Sequence, residues 1–401
     1  MENSVMKEAM ALEERIIAHR RWLHRHAETG FDLPETVAYV KHTLEDMGYQ
    51  VQNCGKSGLT TTIFGKKTGK VFLLRADMDA LPIQEEAQIP YASKTGNMHA
   101  CGHDLHTAML LGAAQILKNH EKELAGTVKF MFQPAEEPLA GAEEMIKHGI
   151  LENPKVDAGM MIHVATAVPI PTGSVIISAP GISAPAADYF TITVQGKGCH
   201  GSMPQEGIDP ITCAAHILLG LQELHSRELG IADRAVMTIG TFQAGSAANV
   251  IADTAQMGGT IRTFDETLRA KLKTRIREIT QGIATAYRCR ANISFDSGAP
   301  VLTNDAAMCD FAERTLATLL GDKAIPLSKL PSTGPSAGGS EDFAYVSQRI
   351  PTVMLSLAAG TPNEGHTYPL HHPLVTFNEA ALPTGAAVLA HMAMQYLEEH
   401  P

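Results

Sequence analysis

The chain has 401 residues, 44% hydrophobic and 19% charged, a composition that excludes a mainly disordered, fibrous or membrane-spanning protein and fits a globular one of two domains. Its formal net charge of −11 comes with no stripe of lysine and arginine to neutralise phosphates, so nucleic acid is not an expected partner. No window reaches the ~18 uninterrupted apolar residues of a membrane span, the opening MENSVMKEAMALEERIIAHRR lacks an apolar leader core, and the six cysteines show no CxxC pairs, so a cytoplasmic chain without a disulfide framework is expected.

Residues 11–48 read as helices interrupted near Gly30 and Pro34. VFLLRADMDALPI (71–83) reads as a buried strand, because Val71 to Leu74 is a continuous apolar run that ends in acids and a proline. A helix over 105–117, the strand GTVKFMFQ (126–133) and the helix AEEMIKHGI (142–150) follow, an alternation that predicts an α/β layer with a mostly parallel sheet. Near APGISAPAA (179–187) the pattern changes. Strand DYFTITVQ, helix 210–228, strands 235–244 and 254–264, helix 266–287 and strand ANISF (291–295) follow in the order β-α-β-β-α-β, which is ferredoxin-like. After Pro300 come helix 305–320, the loop PSTGPSAGGSEDF, strand 352–360 and a final helix from about 379. The expected architecture is therefore a discontinuous α/β catalytic domain, 1–184 plus 297–401, with an inserted α+β lid or dimerisation domain at 185–296.

Five segments carry groups able to hold a metal, and nearly all stand just after an expected strand or in a loop mouth. They are Asp77 and Asp79; Cys101, His103, Asp104 and His106 of HACGHDLH; Glu136 and Glu137 of QPAEE; His163 of MIHVA; and His371 and His372 of YPLHHP. Each alone is a weak signal, since a lone histidine is more often a satisfied core residue. Together at strand ends, where ligands collect in open α/β sheets, they form the imidazole, thiolate and carboxylate set suited to Zn, with Mn, Co or Ni also admitted. One tetrahedral site needs only three or four such groups, so the surplus suggests two metals. Adjacent Glu136 and Glu137 can divide the work of metal-assisted hydrolysis, one carboxylate on metal and one as proton acceptor.

RRWLHRHAETGF, LRADMDALPI, HACGHDLHTAMLLGAA, FQPAEE, GKGCHGSMPQEGIDP, NVIADTA, GTIRTF, GGSEDFAYV and LHHPLVTFNEAALPTGA together resemble the aminoacylase, hippurate hydrolase and auxin-conjugate hydrolase branch of the metallocarboxypeptidase/aminoacylase superfamily, in order along almost the whole chain. The resemblance implies a di-metal amidohydrolase of N-acyl-amino acids or related small conjugates. It implies Cys101, His103, Glu137, His163 and His371 as ligands of two divalent ions, Glu136 as general base and Asp79 as an acid behind a ligand. His371 is taken over His372 because the family's histidine stands two before the proline, here Pro373. It further implies His200 as oxyanion donor, Asn249 and Arg262 near the substrate carboxylate or acyl oxygen, and a homodimer through the inserted domain with His200 reaching the partner's site. Two departures stand out: HAE (26–28) replaces the usual His-Pro-Glu, and HVATAVPIPTG (163–173) is unusual beyond the ligand.

Three other readings compete. GKGCHG (196–201) matches G-x-G-x-x-G after a strand, but two prolines and a glycine follow within nine residues where a dinucleotide motif must open a helix. A metallo-exopeptidase or dipeptidase would break the same bond by the same chemistry and is the closer alternative; a fold that kept its shape but lost catalysis is disfavoured by the complete donor set with Glu136.

Overall fold

A computed structural model describes residues 2–330 and 339–400. It begins with three helices, α1 (Glu2–Ala11), α2 (Glu13–Arg25) and α3 (Pro34–Asp46). Pro34, expected to interrupt a helix, starts one instead: its missing N–H is harmless in the first turn, and the Glu28 carboxylate accepts the next two N–H groups, of Glu35 (3.1 Å) and Thr36 (2.9 Å). Strands β1 (Gln52–Cys54) and β2 (Gly58–Phe64) form a hairpin, and β3 (Val71–Asp77) follows with every residue buried. Then come α4 (His103–Asn119), β4 (Thr127–Gln133), α5 (Gly141–Lys147), β5 (Ala158–Ala165), β6 (Val175–Ile177) and the short β7 (Gly181–Ala184).

The next block runs β8 (Ala186–Gln195), β9 (Cys199–His200), α6 (Pro210–Leu221), β10 (Ala235–Ala244), β11 (Val250–Ile251), β12 (Thr254–Thr263), α7 (Glu266–Ala286) and β13 (Arg290–Ala299). Its four-stranded antiparallel sheet has the order β10-β12-β8-β13. Along β8, buried Phe190, Ile192 and Val194 alternate with more exposed Tyr189, Thr191, Thr193 and Gln195, so one face packs on the helices through Cys213, Ile217, Leu221, Leu272 and Ile276. The expected helix over 210–228 is divided: α6 stops at Leu221 and a π-helical turn occupies Leu224–Glu228. GKGCHG opens no helix; β9 pairs with β11, and only a 3-10 turn follows at Pro204–Glu206.

The chain then forms β14 (Leu302–Asn304), α8 (Ala306–Leu320), β15 (Ala324–Pro326), α9 (Ala344–Ser347), β16 (Thr352–Ala358) and α10 (Leu382–Glu399). Residues 331–338, most of the expected PSTGPSAGGSEDF loop, lie outside the described residues. The chain divides into two units, one of Met1–Ser183, Thr303–Ser336 and Asp342–Pro401, the other of Ala184–Leu302 and Ala337–Glu341. In the first, an eight-stranded sheet has the order β1-β2-β4-β3-β5-β16-β6-β15, and its central strands β4, β3, β5 and β16 are all parallel. The α/β class expected from the sequence is the one found. Helices α4 and α10 pack on each other and on β3 through a core that includes Met109, Leu110, Ala386 and Leu389. Because β3, β4, β5 and β16 run the same way, their carboxyl ends open on one edge of the sheet.

Candidate metal centre

The chain leaves β3 through Met78 and Asp79, and leaves β4 through a turn in which Ala135 has φ 52°, a left-handed conformation that a residue with a Cβ adopts at a cost. Asp79 holds that turn. Its carboxylate accepts the N–H of Glu136 (2.9 Å) and of Glu137 (3.3 Å), while the Ala135 carbonyl accepts from Gly141 (2.9 Å). Asp79 also orients His103, though through its main chain: His103 Nδ1–H donates to the Asp79 carbonyl at 2.8 Å, and the carboxylate stands 3.7 Å away. In the neutral imidazole, His103 Nε2 is therefore the nitrogen that carries the lone pair.

Cys101 and His103 flank Gly102, the residue before α4, whose φ of 84° suits glycine. His163, on β5, donates from Nδ1 to the Val164 carbonyl (2.7 Å) and turns Nε2 to within 3.4 Å of Cys101 Sγ. His371 also sits at a left-handed φ of 65°; its N–H donates to the Ala100 carbonyl (2.9 Å), and its Nε2 stands 3.6 Å from Glu137 Oε1. His372 faces elsewhere, its Nδ1 accepting the Leu374 N–H (3.1 Å) and its ring stacked on Tyr368.

Two overlapping donor groups result, Cys101 with His103 and His163, and Cys101 with Glu137 and His371; within each, the candidate ligand atoms lie within 4.8 Å of one another. Nε2 of His103 and Oε1 of Glu137 are buried without a hydrogen-bond partner, though 3.9 Å apart. Orphaned buried polar atoms demand an explanation, and this set of thiolate, imidazole and carboxylate groups would fit two divalent cations. The electrostatics agree. Burial pushes the Cys101 thiol well above its ordinary pKa, and burial, with nearby Asp79 and Asp77 opposing the pull of His103, raises Glu137 to about 7. Burial alone would depress His103, but the Asp77 carboxylate lifts it well above the ordinary value; His163 is pushed down to about 3, by burial first. Protons thus occupy positions that cations would take. Glu136 is buried beside them, its Oε2 3.9 Å from His103 Nε2.

Asp77 and His106 also lie near His103, but both are already satisfied. His106 Nδ1 donates to Asp77 Oδ1 (2.6 Å), His106 Nε2 accepts the Val164 N–H (2.9 Å), and Arg75 Nη1 holds Asp77 Oδ2 (2.6 Å). One Asp104 oxygen, Oδ2, is bound by both Arg20 (2.8 Å) and His24 (2.8 Å), with His24 reaching on to Glu85, while Oδ1 is buried without a hydrogen-bond partner. Of the supporting residues, Arg20, His24, Glu85 and Arg75 were missed in the sequence; for Arg75 the signal was a charge inside an apolar pattern, and from mid-strand it reaches Gln133 (2.9 Å) and Asp342 (3.2 Å). His200, Asn249 and Arg262 belong to the second unit. There β9 and β11 bring His200 and Asn249 together, Gly201 N–H donating to the Asn249 carbonyl (2.8 Å), while Arg262 donates to Ser340 Oγ (2.9 Å).

The pattern of peptidase family M20/M25/M40 matches residues 73–395. An N-acetyl-L-cysteine deacetylase of Bacillus subtilis is 38% identical over 97% of this chain and 90% of its own length, and an IAA-amino acid hydrolase ILR1-like 2 of Arabidopsis thaliana is 38% identical over 95% and 84%. Among solved structures, a dinuclear metal-binding peptidase of family M20 from Bacillus subtilis is 34% identical and superposes with a TM-score of 0.75, covering 97% of this chain and 99% of that one. The parallel sheet, the donor groups at its carboxyl edge and relationship along nearly the whole sequence lead to one assignment: the chain belongs to peptidase family M20/M25/M40 and is a metal-binding hydrolase of amide bonds.

Proposed function

We propose that the chain hydrolyses N-acyl-amino acids or related small conjugates, with Cys101, His103, Glu137, His163 and His371 holding two divalent ions and Glu136 acting as general base. The observation that carries this reading is the pair of buried, unpartnered donor atoms on His103 and Glu137 beside the Glu136 carboxylate. Mn or Zn suits the mixed thiolate, imidazole and carboxylate set, with Co or Ni as alternatives. Such ions, when bound, supply a polarised amide carbonyl and a more acidic water. Glu136 takes the proton of that water and delivers it to the leaving nitrogen, so that amide and water become carboxylic acid and amine. Asp79 keeps Glu136 and Glu137 side by side by accepting both their N–H groups.

His200 is assigned as oxyanion donor: the Ser202 N–H donates to its Nδ1 (3.1 Å), a tautomer that leaves Nε2–H to donate outward. Asn249 and Arg262 are assigned to the substrate's carboxylate or acyl oxygen. The homodimer is proposed to form through the second unit, with His200 serving the partner subunit's centre, and the six free thiols support a cytoplasmic setting. The relatives' names, a deacetylase of N-acetyl-L-cysteine and a hydrolase of IAA-amino acids, both describe an acylated amino acid. The test is a hydrolysis panel of N-acetyl, N-benzoyl and peptidyl amino acids with added Mn, Zn, Co or Ni. Acyl amino acids should be preferred; preference for dipeptides would favour an exopeptidase, and no turnover with any metal would reject the reading.

A further inference from the structure

Strand β3 pairs with β5 only as far as Arg75 and Met161. Beyond that point β5 keeps β16 as its strand neighbour, and a buried N–H on the vacated side needs another acceptor. The Val164 N–H finds it in a side chain, donating to His106 Nε2 at 2.9 Å. That bond sets the tautomer, since Nε2 must be unprotonated and Nδ1 carries the hydrogen, donated to Asp77 Oδ1 at 2.6 Å. Arg75 in turn clamps the other Asp77 oxygen. Both ring nitrogens of His106 are thereby used, so it has no lone pair to offer a cation although it lies beside His103.

What the bracket holds is the neighbour of a candidate ligand. His163 donates from Nδ1 to the carbonyl of Val164, the residue whose N–H His106 grips, and the two imidazoles meet edge to face with centroids 4.6 Å apart. We propose that His106 is a positioning residue: it stands in for a missing strand, acts through Val164, and fixes the height and ring plane of His163 Nε2 toward the metal. This rests on the proposed role of His163 as a ligand. Partners behind a ligand typically govern about 10–100-fold in metal affinity.

Two substitutions separate the two hydrogen bonds. In H106Q the amide extends as far as Nε2 did and can accept the Val164 N–H; in H106N it reaches only as far as Nδ1 and can serve Asp77 alone. Full-length protein stripped of metal would be titrated with Zn or Mn against a competing chelator, with H163A alongside. The expected result is H106Q within about threefold of wild type and H106N weaker by about 10–100-fold, with H163A losing a metal. Equal losses in H106Q and H106N overturn the positioning role. Full metal stoichiometry in H163A overturns instead the ligand assignment beneath it. Should H106N fail to fold, imidazole nitrogen NMR of the metal-free wild type decides: the resonances that vanish in H106Q must belong to an Nδ1–H tautomer, and an Nε2–H tautomer overturns the inference.

Discussion

Gly102 stands between two proposed metal ligands, and G102A should be costly for two separable reasons. At φ 84° an alanine pays about 1–2 kcal/mol for the left-handed backbone. Its Cβ would also come 2.4 Å from Val164 Cγ2 and 3.2 Å from Phe377 Cζ, and overpacking of that kind costs about 1–3 kcal/mol. The sum is a loss of about 2–5 kcal/mol, with Cys101 and His103 displaced on either side. V164A removes the nearer obstruction, so it should return most of the steric part and leave the backbone part with the Phe377 contact. The double variant should then be about 1–3 kcal/mol more stable than the two single losses added together. The single tryptophan, Trp22, lies on α2 in the first unit, so urea unfolding of metal-free protein followed by its fluorescence reads that unit. G102A within about 0.5 kcal/mol of wild type, or strict additivity in the double variant, would refute the reasoning.

E136Q should retain fold and bound metal while kcat falls by about 10²–10⁴-fold, as expected for a lost general base; metal analysis beside steady-state kinetics checks this, and near-normal kcat would remove Glu136 from the mechanism. C101S should lower metal content together with activity, and full occupancy by elemental analysis would show that the thiol is not a principal ligand. Metal affinity should fall in acid. In the metal-free protein Cys101 is held protonated by burial, His103 is held protonated against burial by the Asp77 carboxylate, and Glu137 is protonated below about pH 7, whereas His163, depressed to about 3, is already neutral. Binding therefore expels protons from the first three, so affinity rises with pH, more steeply below about 7 than above it; chelator competition across this range that shows no pH dependence would contradict the arrangement. Mixing E136A with H200A subunits should recover about a quarter of wild-type activity, because half of randomly reassociated dimers are mixed and each of those has one intact centre. No recovery despite verified exchange would show that His200 does not serve the partner.

Much of the fold could be read from local pattern. Val71 to Leu74 is apolar without alternation because β3 lies between β4 and β5 and is buried throughout, and the alternation along β8 reflects a sheet packed on one face. A parallel sheet brings strand exits to one edge, whatever their separation in sequence, which draws attention to all five donor-bearing segments; the choice of Cys101, His103, Glu137, His163 and His371 within them comes from the family resemblance. The rest depends on contacts that leave no local trace. Three-residue strands such as β6 and β15 are too short for a period to show, and Asp342 is tied to Arg75 across 267 residues. Asp104 and His106 look like donors in sequence, yet Arg20 and His24 occupy the first and Asp77 and Val164 the second. Whether a histidine holds a cation or a peptide N–H is decided by neighbours that a single sequence does not display.

The place of α10 bears on the order in which the molecule comes into being. Residues Leu382–Met394 of that helix are all buried, and it packs on α4 and β3, elements synthesised several hundred residues earlier. During translation the early strands and α4 must therefore wait with an uncovered apolar face, while the second unit, mostly one continuous stretch from Ala184 to Leu302, has its parts in hand much sooner. His371 emerges only shortly before α10. The nascent chain thus has neither the proposed ligand His371 nor a closed core until the segment through α10 has been made, so any metal held by the proposed five-residue set can be acquired only after that segment emerges.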